Sequence, residues 1–163
     1  MDSYTIRQLT VNDWQIYKSM RLEALQNEPG VFGGSYADES ARSDDDWKHR
    51  FLKSCAYFGL YHGDDCIGLT GVVEHRDNSD NVIFLASYVR KEYRGKGLSH
   101  LLYEARIGWA KEQGYKCVVL NHRASNLASK AANQKHGFVY THTERKTWPD
   151  GIEDDQLFYQ LML

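Results

Sequence analysis

Cysteine and proline are both scarce in this sequence, which has three cysteines and two prolines among its 163 residues. Cys55, Cys66 and Cys117 form no Cys-x-x-Cys pair, so the sequence indicates neither a disulfide framework nor a zinc site. We therefore expect reduced thiols and no bound metal. The low proline content, with 26% charged and 13% aromatic residues, is typical of a folded domain rather than of a disordered or fibrous chain.

Long apolar runs and a strong excess of one charge are also missing. No apolar run approaches the ~20 residues that cross a bilayer, and the N-terminal MDSYTIRQLT lacks the basic and apolar regions of a signal peptide. The net charge of −2 gives no general attraction to nucleic acid or to a membrane surface. We therefore predict a cytoplasmic protein with neither kind of partner, and the length predicts one domain over residues 1–163.

The periodicity of the apolar residues predicts strands and helices in a mixed order. Turn residues over 62–65 separate two apolar runs, and Ser43 followed by three aspartates is a strong signal for a helix start. The predicted elements are a strand over 4–8, a helix from Thr10 to about Gln26, a helix of about ten residues after Ser43, strands over 56–61, 66–74 and 81–89, a helix from near Gly97 to Gly114, a strand over 116–120, a helix over 126–135, and strands over 138–146 and 156–163. This order predicts an α/β chain.

The segment RKEYRGKGLS, residues 90–99, combines basic residues with two glycines between a predicted strand and a predicted helix. Free main-chain N–H groups and the helix dipole attract anions at such a helix start, and Gly95 and Gly97 let a phosphate approach the main chain. The glycine spacing excludes a P-loop and a dinucleotide-binding fingerprint. On this segment alone, a phosphate site and an exposed basic loop without a ligand both remain open.

Two motifs resemble those of the GNAT superfamily of N-acetyltransferases. Residues Arg94 to Ser99 resemble its RxxGx[GA] acetyl-CoA signature, with Ser99 in the last position. The second motif, about thirty residues further on, is carried by Asn126, Ser129, Lys135, Gly137 and Phe138. The opening IRQLTVNDW and the stretch RLEALQNEPGVFG also resemble one broad subgroup of the family, so the resemblance covers nearly the whole chain. It implies a mixed, mostly antiparallel sheet of six to seven strands, about four flanking helices and a splayed central strand pair.

The resemblance also implies which residues bind acetyl-CoA as cosubstrate. Main-chain groups along one strand would lie beside the pantetheine arm, the amides of the glycine segment would hold the diphosphate, and Asn126 would contact the thioester region from the far side. Lys96 is either a direct phosphate contact or a solvated side chain. The implied binding residues are Ser87, Tyr88, Val89, Arg94, Gly95, Lys96, Gly97, Leu98, Ser99, Asn126 and Ser129.

Acetyl transfer to an alkyl amine first requires removal of a proton, because an amine with a pKa of about 10.4 is charged at neutral pH. Glu74, at the end of a predicted strand, is the first candidate for the base, and a solvated strand-end glutamate is the alternative. His122 is the second candidate, since the ordinary pKa of histidine suits this role. A surface or core histidine is the alternative there.

The residue that protonates the departing thiolate is missing from its usual place. In this family a tyrosine often lies seven residues after the asparagine of the second motif, and here that position is Asn133. An amide cannot act as an acid, although it can hydrogen-bond the sulfur. Three explanations stay open: the thiol leaves unassisted, Tyr140 or Tyr159 reaches the sulfur, or the protein is an acyl-CoA-binding sensor or scaffold with little catalysis.

The predicted reaction is direct acetylation of a primary amine on a small molecule or peptide, as a monomer or homodimer. Acidic residues cluster between positions 28 and 46 and between 150 and 155, in loops that wall the acceptor side in this family, so a cationic acceptor is favoured. Helix capping and solvated turns are the alternative explanation of these acids. Arg21 equally suggests an acceptor with a carboxylate. An adaptor that binds a phosphorylated partner is a third, weaker hypothesis.

Overall fold

One mixed sheet of seven strands organises the computed structural model, which describes residues 3–163. The strands are β1 (Tyr4–Leu9), β2 (Cys55–His62), β3 (Asp65–Glu74), β4 (Asn81–Val89), β5 (Cys117–Arg123), β6 (Val139–Thr147) and β7 (Glu153–Met162). They lie in the order β1-β2-β3-β4-β5-β7-β6, and neighbours are antiparallel except for the parallel pair β4 and β5. The prediction of a mixed, mostly antiparallel sheet is therefore confirmed.

Five α-helices accompany the sheet in residues 3–163, one more than predicted. They are α1 (Trp14–Asn27), α2 (Tyr36–Ser40), α3 (Asp44–His49), α4 (Ser99–Glu112) and α5 (Leu127–Lys135). The additional helix, α2, has five residues and begins where the Ser35 side chain accepts a hydrogen bond from the amide of Asp38. The helix after Ser43 has six residues and continues as a 3-10 turn over Arg50–Leu52. None of the helices in residues 3–163 is long and apolar enough to cross a membrane.

The helices cover both faces of the sheet, and each face has its own core. On one face, α4 packs Tyr103 and Ala110 against Phe84 of β4 and Val118 of β5. On the other face, α1 and α3 pack against β2, β3 and β4, and the fully buried Trp47 lies within this second core. Burial of these aromatic and aliphatic side chains is the main force that holds the helices to the sheet.

Strands β4 and β5 separate partway along their length, and we call the opening between them the fork. Their pairing comprises Asn81↔Cys117, Val82↔Val118 and Ile83↔Val119, after which β5 continues beside β7 and β4 continues beside β3 alone. The predicted splayed central pair is thus confirmed.

A bulge in β4 lies just beyond the start of the fork. Ala86 has a φ of 60°, which is uncommon for a residue other than glycine, and the register with β3 shifts opposite it. Phe84 belongs to the core beneath α4, whereas Tyr88 belongs to the core beneath α1. Residues four apart share a face in a regular strand, so the bulge turns the end of β4 over.

Candidate active site

A cavity of about 400 Å³ occupies the fork and opens toward the start of α4. We call it the outer cavity. It brings together all the residues that the family resemblance assigns to acetyl-CoA, except Lys96, which does not line it. The remainder of its wall includes Phe32 from the loop after α1, Leu102 and Tyr103 of α4, and Ala132 of α5. Main chain from β4 and two helix starts therefore face one space.

The start of α4 offers main-chain donors without acceptors. No side chain caps this helix, and within residues 3–163 the amides from Gly95 to Ser99 have no hydrogen-bond acceptor. Gly95 and Gly97 have φ values of 78° and 75°, and no heavy atom of the described residues lies within 4 Å of a β-carbon built on either one. The open space beside these N–H groups fits a phosphate or diphosphate at the positive end of the helix.

The two basic residues of this loop differ in how they are held. The Nε of Arg94 donates to the carbonyl oxygen of Val89 at 2.7 Å, and its Nη2 donates to Glu28 at 2.6 Å. Arg94 thus joins the wall of the outer cavity as part of an ion pair. The Nζ of Lys96 lies 5.9 Å from the ring centre of Tyr93 and outside the cavity wall, so the solvated alternative for Lys96 is favoured.

The second motif forms the start of α5. Asn126 is the N-cap residue, and its Oδ1 accepts a hydrogen bond of 3.1 Å from the amide of Ser129. This cap explains the three-residue spacing of the motif, because a cap side chain bonds the amide of the third residue of the helix. Among the described residues the Asn126 amide NH₂ has no acceptor, so it is available to a ligand in the cavity.

A smaller cavity of about 110 Å³ lies deeper, at the closed end of the fork, and we call it the inner cavity. Asn133 lies in its wall and is almost completely buried. The hydroxyl of Tyr103 donates a hydrogen bond to the Asn133 Oδ1. Burial raises the pKa of Tyr103, and the positive charge of Arg106 opposes this shift.

Arg106 is a residue of the site that the sequence interpretation missed. It is 2% exposed, it lies in the wall of both cavities, and its Cζ lies 4.2 Å from the ring centre of Phe84 and 5.0 Å from that of Tyr103. Its Nε donates to the Leu102 carbonyl oxygen at 3.0 Å. No carboxylate among residues 3–163 pairs with it, and burial lowers the pKa of Arg106 to about 9. A charged residue four positions after Leu102, on the buried face of the helix, was the available signal.

The structure does not bring Glu74 to either cavity. Glu74 ends β3 opposite Val82 of β4, on the paired side of the fork, and the hydroxyl of Tyr115 donates to its Oε2 at 2.8 Å. Since β3 and β4 are antiparallel, the end of β3 lies beside the start of β4, away from the open end of the cleft.

His122 does line the inner cavity. Its Nδ1 lies 2.6 Å from the Arg123 carbonyl oxygen, which can only accept, so Nδ1 carries the hydrogen. Its Nε2 is therefore the acceptor for the hydroxyl of Tyr159 at 3.2 Å. Burial lowers the pKa of His122, so the ring is neutral at pH 7. Tyr159 lies behind His122 rather than in a cavity wall, and Tyr140 is 52% exposed on β6.

Most of the acids that suggested a cationic acceptor are ion-paired. Glu39 accepts hydrogen bonds from Arg21 and Arg50, so Arg21 is engaged within the protein. Asp150 and Asp154 both bind Arg123. A third cavity of about 410 Å³ lies between the loop before α2 and the turn after β6, and its wall includes Asp38, Arg42 and Trp148. No group of three or more metal-binding side chains occurs in residues 3–163.

The sequence matches the model of the acetyltransferase (GNAT) family over residues 17–138. Because this match covers well over half of the chain, the protein belongs to that family. Acetyl transfer is therefore its general chemistry. No curated protein sequence matches the chain.

Solved structures of low sequence identity share the fold. A protein from Acinetobacter baylyi ADP1 is 24% identical, with a TM-score of 0.83, and the match covers 100% of this chain and 93% of that one. The ribosomal-protein-alanine N-acetyltransferase of Brucella melitensis is 21% identical, with a TM-score of 0.81 and coverages of 98% and 99%. The yncA protein from Salmonella typhimurium, solved with its cofactor acetyl-CoA, is 21% identical, with a TM-score of 0.80 and coverages of 98% and 94%.

Proposed function

We propose that the protein transfers an acetyl group from acetyl-CoA directly to a primary amine of a small molecule or peptide. The observation that carries the proposal is the row of unpaired amides at the start of α4, which opens into the fork. The acetyl-CoA in the yncA structure and the amine acceptor in the name of the Brucella protein support it by similarity of fold. A cytoplasmic location remains our prediction, as does a monomeric or homodimeric state.

The binding roles follow the geometry of the outer cavity. The amides from Gly95 to Ser99 would hold the diphosphate, while main-chain groups of Ser87 to Val89 and the amide of Asn126 would hold the pantetheine arm. Acetyl-CoA supplies the acyl group in activated form, as a thioester. The protein supplies orientation, because a cavity of this shape keeps a slender arm extended toward the inner cavity.

We assign the base to His122 rather than to Glu74, because only His122 lines the inner cavity. Because Nδ1 carries the hydrogen and Nε2 accepts from Tyr159, the neutral imidazole can take the proton of the acceptor ammonium at Nε2 only after the Tyr159 hydroxyl has turned away from that nitrogen. Since burial lowers the pKa of His122, turnover should fall with decreasing pH only below the ordinary histidine value of 6.5. The acceptor itself would enter from the side of the loop after α1, where Val31 and Phe32 border both cavities.

Thermal melting with acetyl-CoA, CoA and ATP at equal concentrations tests the binding half of the proposal. Stabilisation should be larger with the two CoA species, because at equal concentration a ligand that binds the folded state more tightly raises its stability more. An unchanged midpoint with acetyl-CoA would overturn the proposal.

An amine panel tests the catalytic half, with thiol release as the readout. The panel should include a polyamine, free amino acids and a peptide with N-terminal alanine. We expect saturable release with at least one class, and we expect His122→Gln to slow it at pH 7 while His142→Gln, at an exposed position on β6, does not. Binding of acetyl-CoA without release by any amine would favour the sensor hypothesis.

A further inference from the structure

Within the part of the chain that the structure describes, Arg106 is a buried cation without a counter-charge. A buried charge costs free energy unless another charge or several hydrogen bonds compensate it. Arg123, which is also buried, is compensated by Asp150 and Asp154. The Arg106 guanidinium has one hydrogen bond, from Nε, and the described residues offer its two terminal nitrogens no acceptor. This arrangement indicates that an anion from outside the protein completes the site.

The position of the guanidinium limits which anion this can be. Phe84, on which the Arg106 guanidinium lies, is the first residue of β4 beyond the last β4–β5 pair, so the charge lies at the closed end of the fork. The guanidinium borders both cavities, and its contact with Phe84 places it beside the inner cavity, where the reacting end of the arm would lie.

We propose that Arg106 is a catalytic residue that stabilises the thiolate of CoA as it leaves. This inference rests on the proposed function. The base first takes one proton from the acceptor ammonium. When the amine nitrogen then forms its bond to the carbonyl carbon, the carbon–sulfur bond breaks, its electron pair remains on sulfur, and the second proton of the nitrogen is lost to water. The sulfur becomes an anion at the inner end of the arm, beside the guanidinium. Asn133 cannot protonate the thiolate, and the fixed positive charge of Arg106 stabilises the thiolate instead.

The other charged and titratable groups around the inner cavity do not compete with Arg106. Burial lowers the pKa of His122 and raises the pKa of Tyr103, so both side chains are uncharged near neutral pH. Glu28 and Arg94 border the outer cavity and neutralise each other. Among residues 3–163, the guanidinium is therefore the uncompensated charge that faces a bound sulfur before His122 takes the amine proton.

The pKa of the thiol of bound CoA tests the proposal without relying on turnover. We would follow the ultraviolet absorbance of the thiolate in the protein–CoA complex as the pH rises, with the complex of desulfo-CoA as the blank. A free thiol has a pKa of about 8.5. We expect the pKa of the bound thiol to lie at least about one unit below that of the free thiol. Relative to desulfo-CoA, CoA should therefore bind about tenfold more tightly above the pKa of the free thiol than below the pKa of the bound thiol.

Four variants distinguish an effect of the Arg106 charge on the thiol pKa from an effect of packing and from proton donation by Tyr103. Arg106→Met should return the thiol pKa to 8.5 or above and lower kcat about tenfold or more, with a smaller effect on the KM for acetyl-CoA. Arg106→Lys should keep part of the shift. Tyr103→Phe should leave the shift intact, because its hydroxyl carries no charge. Lys111→Met removes an exposed charge from the same helix and should change nothing.

Each contrary result has a definite meaning. If the wild type binds CoA but its thiol titrates like the free thiol, the role of Arg106 is wrong and the proposed function stands. If CoA does not bind at all, the proposed function fails and this inference fails with it. If succinyl-CoA binds more tightly than acetyl-CoA and Arg106→Met abolishes that preference without a change in thiol pKa, the anion is a carboxylate and the thiolate role is overturned.

Discussion

Replacing Gly97 with alanine places a methyl group in the space where the diphosphate is proposed to lie. Gly97 has a φ of 75°, and no heavy atom in residues 3–163 lies within 4 Å of a β-carbon built on it. The methyl group therefore meets no neighbour in the free protein. The expected loss of folding stability comes from the left-handed backbone alone, and it is roughly 1–2 kcal/mol. In a chain of this length, that loss corresponds to a fall in Tm of about 2–8 °C.

Gly114 provides a matched control at the other end of α4. Its φ is 82°, a β-carbon there also meets nothing within 4 Å, and the residue lines neither cavity of the fork. Gly114→Ala should therefore lose about as much stability as Gly97→Ala. The two variants differ in one expected property, since only the methyl group at position 97 obstructs the approach of a phosphate to the amides of the loop.

The measured quantity is the stabilisation that CoA adds to each variant. Loss of one hydrogen bond to a charged group costs roughly 1.5–3 kcal/mol, which weakens binding about tenfold or more. At a concentration one hundred times the wild-type Kd, CoA should stabilise the wild type and Gly114→Ala by about 2.7 kcal/mol and a tenfold weaker Gly97→Ala by about 1.4 kcal/mol. Equal stabilisation of the two alanine variants would refute the placement of the diphosphate at this loop.

Two further predictions concern the fold around the site. In urea unfolding at pH 7, Glu39→Gln should destabilise the protein by about 3–5 kcal/mol, because it leaves two arginines without their buried carboxylate. The control Asp45→Asn, at an exposed position, should cost less than about 1 kcal/mol. Burial alone would raise the pKa of Glu39, but the arginines outweigh it and lower the pKa, so the difference between wild type and Glu39→Gln should shrink as the pH falls below 4.5. Leu69→Ala, at a fully buried position of β3, should cost about 2–5 kcal/mol, and Leu52→Ala, at a position 71% exposed, should stay within about 0.5 kcal/mol.

The elements that the sequence predicted well are those whose signals are local. Apolar periodicity and turn residues placed the hairpin of β2 and β3 and the long helix α4 within a few residues of their observed bounds. The short α2 was missed because its five residues contain no apolar repeat, and its one signal is the cap at Ser35. The fork was accessible through the family resemblance alone, since no local pattern indicates that two parallel strands separate after Ile83.

The residues of the candidate site also differ in whether a local sequence signal predicts them. The glycine segment and the cap at Asn126 act through main-chain geometry within a few residues, so their spacing in the sequence is informative. The base could not be identified in this way. The sequence indicates where a strand ends, but it does not indicate on which side of the fork that end lies. Glu74 and His122 both follow apolar runs, and only the pairing of β3 with β4 separates them.

Asn133 and Arg106 show how far a single departure from a motif can be interpreted. The sequence reveals that the usual tyrosine is missing at position 133, but any compensation must come from a residue that packs nearby in space. That residue lies on another helix, and Tyr103 connects the two positions through its hydroxyl bond to Asn133 and its ring beside the guanidinium. A proton donor and a fixed cation both lower the free energy of the same departing sulfur. The sequence alone therefore cannot indicate that a fixed cation replaces the proton donor. The structure indicates it, because Asn133 and the unpaired Arg106 guanidinium lie at the same end of the fork.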